Sequence, residues 1–383
     1  MLLELCQELP ADGIVICAPA RSELADACRS LGFEVRDFFV PKLRDVGVLA
    51  YGRYLVRAIS ALTSYVVDER ITVLHSFLSL TTKVAAPVAL LTGVPLVQSV
   101  HDITSTDEIG WLKSSTQYLV TRSAQPQRMI AVSHFVRASL ISQGYRADRI
   151  EVIHNGVAPP LRSPTGLTRT SLGIDPEAVV FLHVGRITEW KGHMVTVKAF
   201  DMLRDRVKQR LAHLLIVGRP FGPDDEQFAA TLAEAIGQLP ATECITMIPH
   251  TSAPGDLYTL ADVVVVPSVR PDPFPTVVLE AGMTGRPAIV SDQGGGQEAV
   301  LPDSTGLVIQ PTPYELSLAM ERALDDLWRT EAGQLARRHI ESKFSRSKYA
   351  SQVVQVWHEA SRARTRGPGL MPRTVKIMRG MAM

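Results

Sequence analysis

Along most of this chain, short apolar runs that end in a polar or small residue alternate with longer stretches of helical period. That rhythm belongs to parallel α/β architecture. In the first half it predicts strands at Gly13–Ala18, Glu34–Val40, Ile71–His75, Pro95–Val100, Met129–Val132 and Ile150–Ile153. Helical segments long enough to cross between parallel strands separate them, at Ser22–Leu31, Val48–Val67, Ser79–Leu91, Glu108–Arg122 and His134–Ser142. From His154 to Asp175 the pattern gives way to Asn, Gly, Pro, Ser and Thr, which reads as a linker. A second series follows, with strands predicted at Val179–Val184, Leu214–Val217, Ile245–Ile248, Val263–Val266, Ala288–Val290 and Leu307–Ile309. Tyr314–Trp328 and Ser347–Ala360 are predicted to close it as helices. Two parallel α/β domains are therefore expected, in keeping with 383 residues at roughly 150 per domain. Their predicted spans are 1–158 and 159–345, followed by a C-terminal helix at 346–361 and a tail at 362–383. The tail carries Arg362, Arg364, Arg366, Arg373, Lys376 and Arg379 with no acid and two prolines, so it is expected to be disordered.

Composition narrows the function classes. Lys and Arg number 40 against 39 for Asp and Glu, so no global charge favours nucleic acid as a partner. The four cysteines form no C-x-x-C pair, and no His/Asp cluster has ligand spacing, so neither a metal site nor a disulfide framework is expected. The apolar stretch Val84–Val100 is broken by Pro87, Gly93 and Pro95 and reads as a buried helix, a turn and a strand rather than a membrane span. A reducing, cytoplasmic setting follows as the expectation, with peripheral contact at the inner face of a membrane as an addition. That addition rests on Arg53 and Arg57, one helical turn apart near Tyr51 and Tyr54, with Lys42 and Arg44 just before them. A solvated helix face is the plainer reading of the same residues.

The opening is unusual. Leu2–Leu9 has helical spacing where a doubly wound domain normally begins with its central strand and a glycine turn. The first strand is thus expected to be missing, leaving its two neighbours with unpaired backbone in the middle of the sheet.

Ligands of open parallel sheets bind beyond the carboxyl ends of the strands, and two such places stand out. In HVGRITEWKGH, Arg186 and Lys191 follow a strand and a flexible Gly185, and two cations there suit a diphosphate. After the valine strand, Pro267 stops the ladder and Pro271–Asp272–Pro273–Phe274–Pro275 makes a stiff loop. Pro275 suits the first turn of the next helix, whose free amides at Thr276 and Val277 would face an anion. Glu280 lies one turn further along the same face, where a carboxylate can hold a diol. Asp272, on the loop above, can accept hydroxyl hydrogens from a second sugar. In the first half, His101 and Asp102 follow a strand, either as site residues or as a capping pair, whereas His75–Ser76 reads as local hydrogen bonding.

With these residues in place, the chain resembles glycosyltransferase family 4, retaining enzymes of the GT-B fold in which two Rossmann-like domains face a central cleft. The resemblance runs to about residue 360. It rests on GR-x4-KG at Gly185–Gly192, an acid-x7-Glu motif from Asp272 to Glu280, GG-x-x-E at Gly294–Glu298, AVS at Ala131–Ser133 and VIHNGV at Val152–Val157. It implies that Arg186 and Lys191 hold the donor diphosphate and Glu280 the ribose. Asp272 and the Phe274, Pro275, Thr276 and Val277 backbone would then hold the transferred sugar and its phosphate, with His101 orienting the sugar's reacting face. The implied reaction moves a hexose from a nucleotide-diphosphate sugar to a saccharide or lipid-linked saccharide, with no cofactor and no metal. The chain departs from the family pattern in its first acid, Asp where Glu is usual, in His154 where Pro is common, and in its opening strand and glycine loop. The last departure keeps a second reading open, a protein that binds nucleotide sugars without turnover. An epimerase or phosphorylase on the same fold lacks a recognisable cofactor lysine.

Overall fold

The structure is a computed structural model that describes residues 1–41, 46–103, 126–161, 167–203, 212–240, 242–251, 254–365 and 377–380. The predicted helix Glu108–Arg122 and the cations Lys42 and Arg44 lie outside these residues. Two compact units divide the chain between Gly156 and Val157, and the segment from Arg346 onward belongs to the first unit again.

The first unit opens with α1 (Leu2–Cys6) and continues through β1 (Ile14–Ala18), α2 (Glu23–Ser30), β2 (Glu34–Asp37), α3 (Val48–Asp68), β3 (Val73–Ser76), α4 (Ser79–Thr92), β4 (Leu96–Val100), β5 (Arg128–Ala131), α5 (His134–Ser142) and β6 (Ile150–Val152). Local chemistry sets several boundaries. Ser22 caps α2 by accepting from the Ala25 amide, and Ser133 caps α5 through the Val136 amide. Left-handed Gly93 ends α4, so the stretch read as helix, turn and strand is that. Along β1, Ile14 and Ile16 join one core cluster while Val15 and Cys17 join another. That two-residue alternation is how a strand covered on both faces distributes its side chains.

The second unit runs through β7 (Val179–Val184), α6 (His193–Asp201), β8 (Ala212–Val217), α7 (Pro223–Gly237), β9 (Ile245–Ile248), α8 (Pro254–Leu260), β10 (Val263–Val266), α9 (Thr276–Met283), β11 (Ala288–Ser291), β12 (Gly306–Ile309), α10 (Pro313–Arg322) and α11 (Asp326–Lys343). Its strands pair in parallel in the order β12-β11-β10-β7-β8-β9. Chain order reverses between β7 and β10, and a crevice opens at such a switch point beyond the carboxyl ends of the two strands. One helix predicted over Tyr314–Trp328 is two. The Asp325 carboxylate accepts from the Leu327 and Trp328 amides and starts α11 afresh, so continuous helical periodicity concealed a cap.

α12 (Arg346–Thr365) returns to the first unit and places Tyr349, Val353, Val356 and Trp357 in its core. After it comes β13 (Ile377–Gly380), and the sheet order becomes β2-β1-β13-β3-β4-β5-β6. β13 pairs in parallel with β1, from Ile14↔Ile377 to Cys17↔Gly380, and with β3, from Val73↔Ile377 to His75↔Arg379. Two expectations are corrected here. The chain opens with a helix as expected, but the two neighbouring strands are not left unpaired, because the central slot is filled and the tail expected to be disordered supplies the strand. A slot between two parallel strands presents donors and acceptors on both sides, which a short strand of any composition can satisfy through its backbone. Charge density and prolines hid it from the sequence pattern. Among the described residues, no helix is long and apolar enough to cross a membrane.

Candidate functional site

In the second unit, the loops after β7 and β10 flank the switch point and are tied together by backbone. Gly192 has φ +79°, and a Cβ there would run into the Pro267 carbonyl, so only glycine lets the two loops approach this closely. The Val269 amide donates to the Trp190 carbonyl at 2.9 Å. Lys191 is thereby delivered to the second loop, where its Nζ donates to Asp272 Oδ2 at 2.6 Å. The pair is largely shielded from water, with side-chain exposures of 19% for Lys191 and 8% for Asp272. Lys191 Nζ also stands 4.4 Å from the centre of the Trp190 ring, and the exposed Arg186 guanidinium stands 5.8 Å from the same ring. One half-buried indole therefore attracts both motif cations. Reading the motif as paired cations passed over the tryptophan between them, and the signal was its place in ITEWKG.

Asp272 is held from the other side by the glycine pair of GG-x-x-E. The Gly295 amide donates to the Asp272 carbonyl at 2.7 Å, and Gly294, at φ +91°, lies against the Asp272 backbone where a Cβ would collide with it. Pro275 sits at the cap position before α9 rather than in its first turn, with φ −69° and ψ 118°. No side chain caps the helix, and among the described residues the Thr276 and Val277 amides have no recorded acceptor. Phe274 turns its ring into the core against Phe344, 5.7 Å between centroids, which leaves its backbone on the loop. On α9, Glu280 Oε2 accepts from the fully buried Tyr258 hydroxyl at 2.7 Å. Burial, reinforced by the neighbouring Glu280 charge, pushes the Tyr258 phenol well up, so it remains a donor and orients the carboxylate. The fold thus brings Arg186, Lys191, Asp272 and the Phe274–Val277 backbone to one edge, with Glu280 a turn below.

Beneath this edge lies a histidine pair that the sequence reading did not mark. The rings of His183 and His193 stack at 3.9 Å and 15°. The Thr196 hydroxyl donates to the Gly192 carbonyl, so His183 Nδ1, 2.8 Å from the Thr196 oxygen, carries its proton toward it. Burial holds His183 well below 6.5 and His193 down to about 4. In the first unit, His101 follows β4, stacked on Phe77 at 5.9 Å and 11°. Its Nε2 is shut from solvent with no partner among the described residues, and burial lowers it to about 3. His75, expected to hydrogen-bond locally, is instead engaged by residues 24 and 282 positions away in the chain. Trp357 Nε1 donates to its Nδ1 at 3.0 Å, so its Nε2 donates to Ser99 Oγ at 2.8 Å.

These buried neutral rings predict an acid-labile fold. The unfolded chain takes up their protons as pH falls through 6.5, while the folded chain resists until about 4 or below. Stability is therefore complete above pH 6.5 and declines on acidification toward 4. Urea midpoints at pH 7.5 and at pH 5 should differ in that direction, and equal midpoints contradict the prediction.

Comparisons with known proteins converge on this architecture. Residues 1–159 match the model described as Glycosyltransferase Family 4, and residues 166–341 match that described as Glycosyl transferases group 1. D-inositol 3-phosphate glycosyltransferase of Rhodococcus erythropolis is 30% identical over 235 residues, 57% of this chain and 52% of that protein. The chain thus spans about half the length of this relative. The protein of the same name from Paenarthrobacter aurescens is 29% identical over 285 residues, 70% of this chain and 68% of that one. Among solved structures, Anabaena Alr3699/HepE in complex with UDP and glucose superposes with a TM-score of 0.77 at 21% identity, covering 93% of this chain and 94% of that one. A glycosyltransferase from Rickettsia africae gives 0.76 at 18% identity, over 91% and 89%. With two family models matched in succession, and parallel doubly wound sheets like those of these GT-B structures, the chain belongs to glycosyltransferase family 4.

Proposed function

We propose that this chain is a retaining glycosyltransferase that moves a hexose from a nucleoside diphosphate sugar to a saccharide or lipid-linked saccharide. The observation that carries the reading is the Lys191–Asp272 pair beside the uncapped start of α9, at the switch point of the sheet. A diphosphate placed there meets the Lys191 ammonium, the Arg186 guanidinium and the amides of Thr276 and Val277, all of which favour negative charge. Glu280, oriented by Tyr258, would take the ribose hydroxyls.

In the reaction the bond from the anomeric carbon to the diphosphate oxygen breaks, and charge develops on the leaving group. Lys191, Arg186 and the α9 amides stabilise that charge more strongly as it grows. The acceptor oxygen forms its new bond on the face the diphosphate leaves, and a phosphate oxygen takes the acceptor's proton. No protein nucleophile and no metal is required by this scheme. Asp272, released from Lys191 as the phosphates bind, would accept a hydroxyl of the transferred sugar, with His101 as the neutral hydrogen-bonding group on the acceptor side. The relative crystallised with UDP and glucose supports a UDP-sugar as the first donor to try. Incubation with a panel of UDP- and GDP-sugars and saccharide acceptors tests the proposal, with product mass and anomeric configuration as readouts. Saturable nucleotide binding without sugar transfer would favour the binding-only reading.

Two substitutions probe donor binding. Glu280→Gln weakens the grip on the ribose and should raise the donor KM about tenfold. Trp190→Leu removes the shared ring and should raise the donor KM about fivefold with kcat little changed, since cation–π contacts at part-exposed sites are worth about 1 kcal/mol. An unchanged KM in either variant counts against the assigned role.

The acceptor side carries an accompanying proposal. α3 exposes Val48, Leu49 and Val56 alongside the exposed Arg53 and Arg57, a combination suited to peripheral contact with anionic lipid at the cytoplasmic face of a membrane. Co-sedimentation with anionic vesicles at low salt checks it, and absence of binding removes it.

A further inference from the structure

The second unit has another polar cavity, at the opposite edge of its sheet. About 340 Å³ in volume, it lies where β10 and β11 begin, with α11 across it. The switch-point loops stand at the far end of α9, whose eight residues span about 12 Å at 1.5 Å per residue. Gly333 gives α11 its seat, because a Cβ there would strike the Gly285 carbonyl. That close approach sets Arg329, Gln334 and Arg337 of α11 over Arg286, which immediately precedes Pro287 and β11.

Charge in this cavity does not balance locally. Asp262, the carboxylate on its floor, is committed to Arg169 at 2.7 Å and to the Val180 amide at 2.8 Å. Arg329 is held by the Ala323 carbonyl at 2.8 Å and by the exposed Asp326 at 3.0 Å, and Arg337 by Glu341 at 2.8 Å. Arg286 is different. Its Nε donates to the Tyr258 carbonyl at 3.0 Å, yet its two terminal nitrogens have no hydrogen-bond partner and it forms no ion pair among the described residues. A half-buried guanidinium whose nearby carboxylate, Asp262, is shared with Arg169 is held below its ordinary range by burial and favours a further negative charge beside it. Its open fork matches two oxygens of a phosphate. Around it, Gln334 and Thr330 have no hydrogen-bond partners among the described residues, and both can serve hydroxyl groups.

We propose that this cavity is a second anion site that binds a phosphate monoester of sugar size. The phosphate sits on Arg286 between Arg329 and Arg337, and the polyol hydroxyls are taken by Gln334, Thr330 and Asp326. The site stands apart from the donor edge and does not depend on the assigned reaction.

Calorimetric titration of the full chain with inorganic phosphate, with glucose 6-phosphate and with glucose tests it. Saturable binding of glucose 6-phosphate, weaker binding of inorganic phosphate and none of glucose is the expected result. Tighter binding of phosphate alone would overturn the sugar-sized assignment. Arg286→Gln and the surface variants Arg337→Ala and Gln334→Ala should each weaken glucose 6-phosphate about tenfold, whereas Lys191→Ala should leave it unchanged. No saturable binding, or unchanged affinity in the surface variants, or loss in Lys191→Ala, overturns the proposal. The surface variants keep the test valid even where Arg286→Gln fails to fold.

Discussion

Alanine at Lys191 is expected to lower turnover about a thousandfold at saturating donor, the scale on which removal of a preorganised charge from a developing anion is felt. The same change should also destabilise the second unit. Asp272 would be left as a shielded carboxylate with its cation gone, and the partner left behind accounts for most of the cost of breaking such a pair. Because Lys191 keeps 19% exposure, solvent relieves part of that cost, and about 2 kcal/mol is the expected loss rather than the full value for a buried pair. A double variant separates the two effects. Lys191→Ala combined with Asp272→Asn should recover much of the urea midpoint while turnover stays low, since the neutral amide needs no cation but the leaving diphosphate still does. Turnover within threefold of the parent in Lys191→Ala would remove the central residue of the proposed mechanism.

Truncation after Thr365 is the second large effect. It deletes β13, and β1 and β3 then face each other across an empty slot with their inner donors and acceptors unpaired. Several buried peptide groups without partners exceed what a small domain can absorb, so cooperative folding of the first unit should be lost. The second unit has its own core and a complete sheet and should persist. Hydrogen exchange would read this directly as loss of amide protection in β1 and β3 with β7, β8 and β10 still protected. A milder variant, Met378→Pro, removes one donor from the middle of a central strand and should destabilise the first unit by about 3 kcal/mol. Undiminished protection of β1 and β3 in the truncated chain would show that β13 is dispensable for the sheet.

Most of the fold could be read in advance, because parallel strands buried on both faces are runs of Val, Ile and Leu, and caps such as Ser22 and Ser133 are local. β7, β10 and α5 fall on their predicted residues for that reason. The errors share a cause as well. The join between α10 and α11 depends on one aspartate turning back to cap, and β13 on a vacancy far away in the chain, and neither alters local periodicity.

The functional edge divides along similar lines. Residue types and spacing alone were enough to select Arg186, Lys191, Asp272, the start of α9 and Glu280, since cations and free amides after strand ends already define an anion site. Their partners came from folding. Lys191 meets Asp272 because Gly192 lets one loop rest on Pro267, Asp272 is clamped because Gly294 admits its backbone, and Tyr258 reaches Glu280 from another helix. The open fork of Arg286 likewise emerges only when α11 packs on Gly285. Period and composition act over neighbouring residues and so are written along the chain, whereas close backbone approach and charge balance depend on distant groups, such as Tyr258 with Glu280 at 22 positions and Lys191 with Asp272 at 81, and exist only once the sheet has assembled.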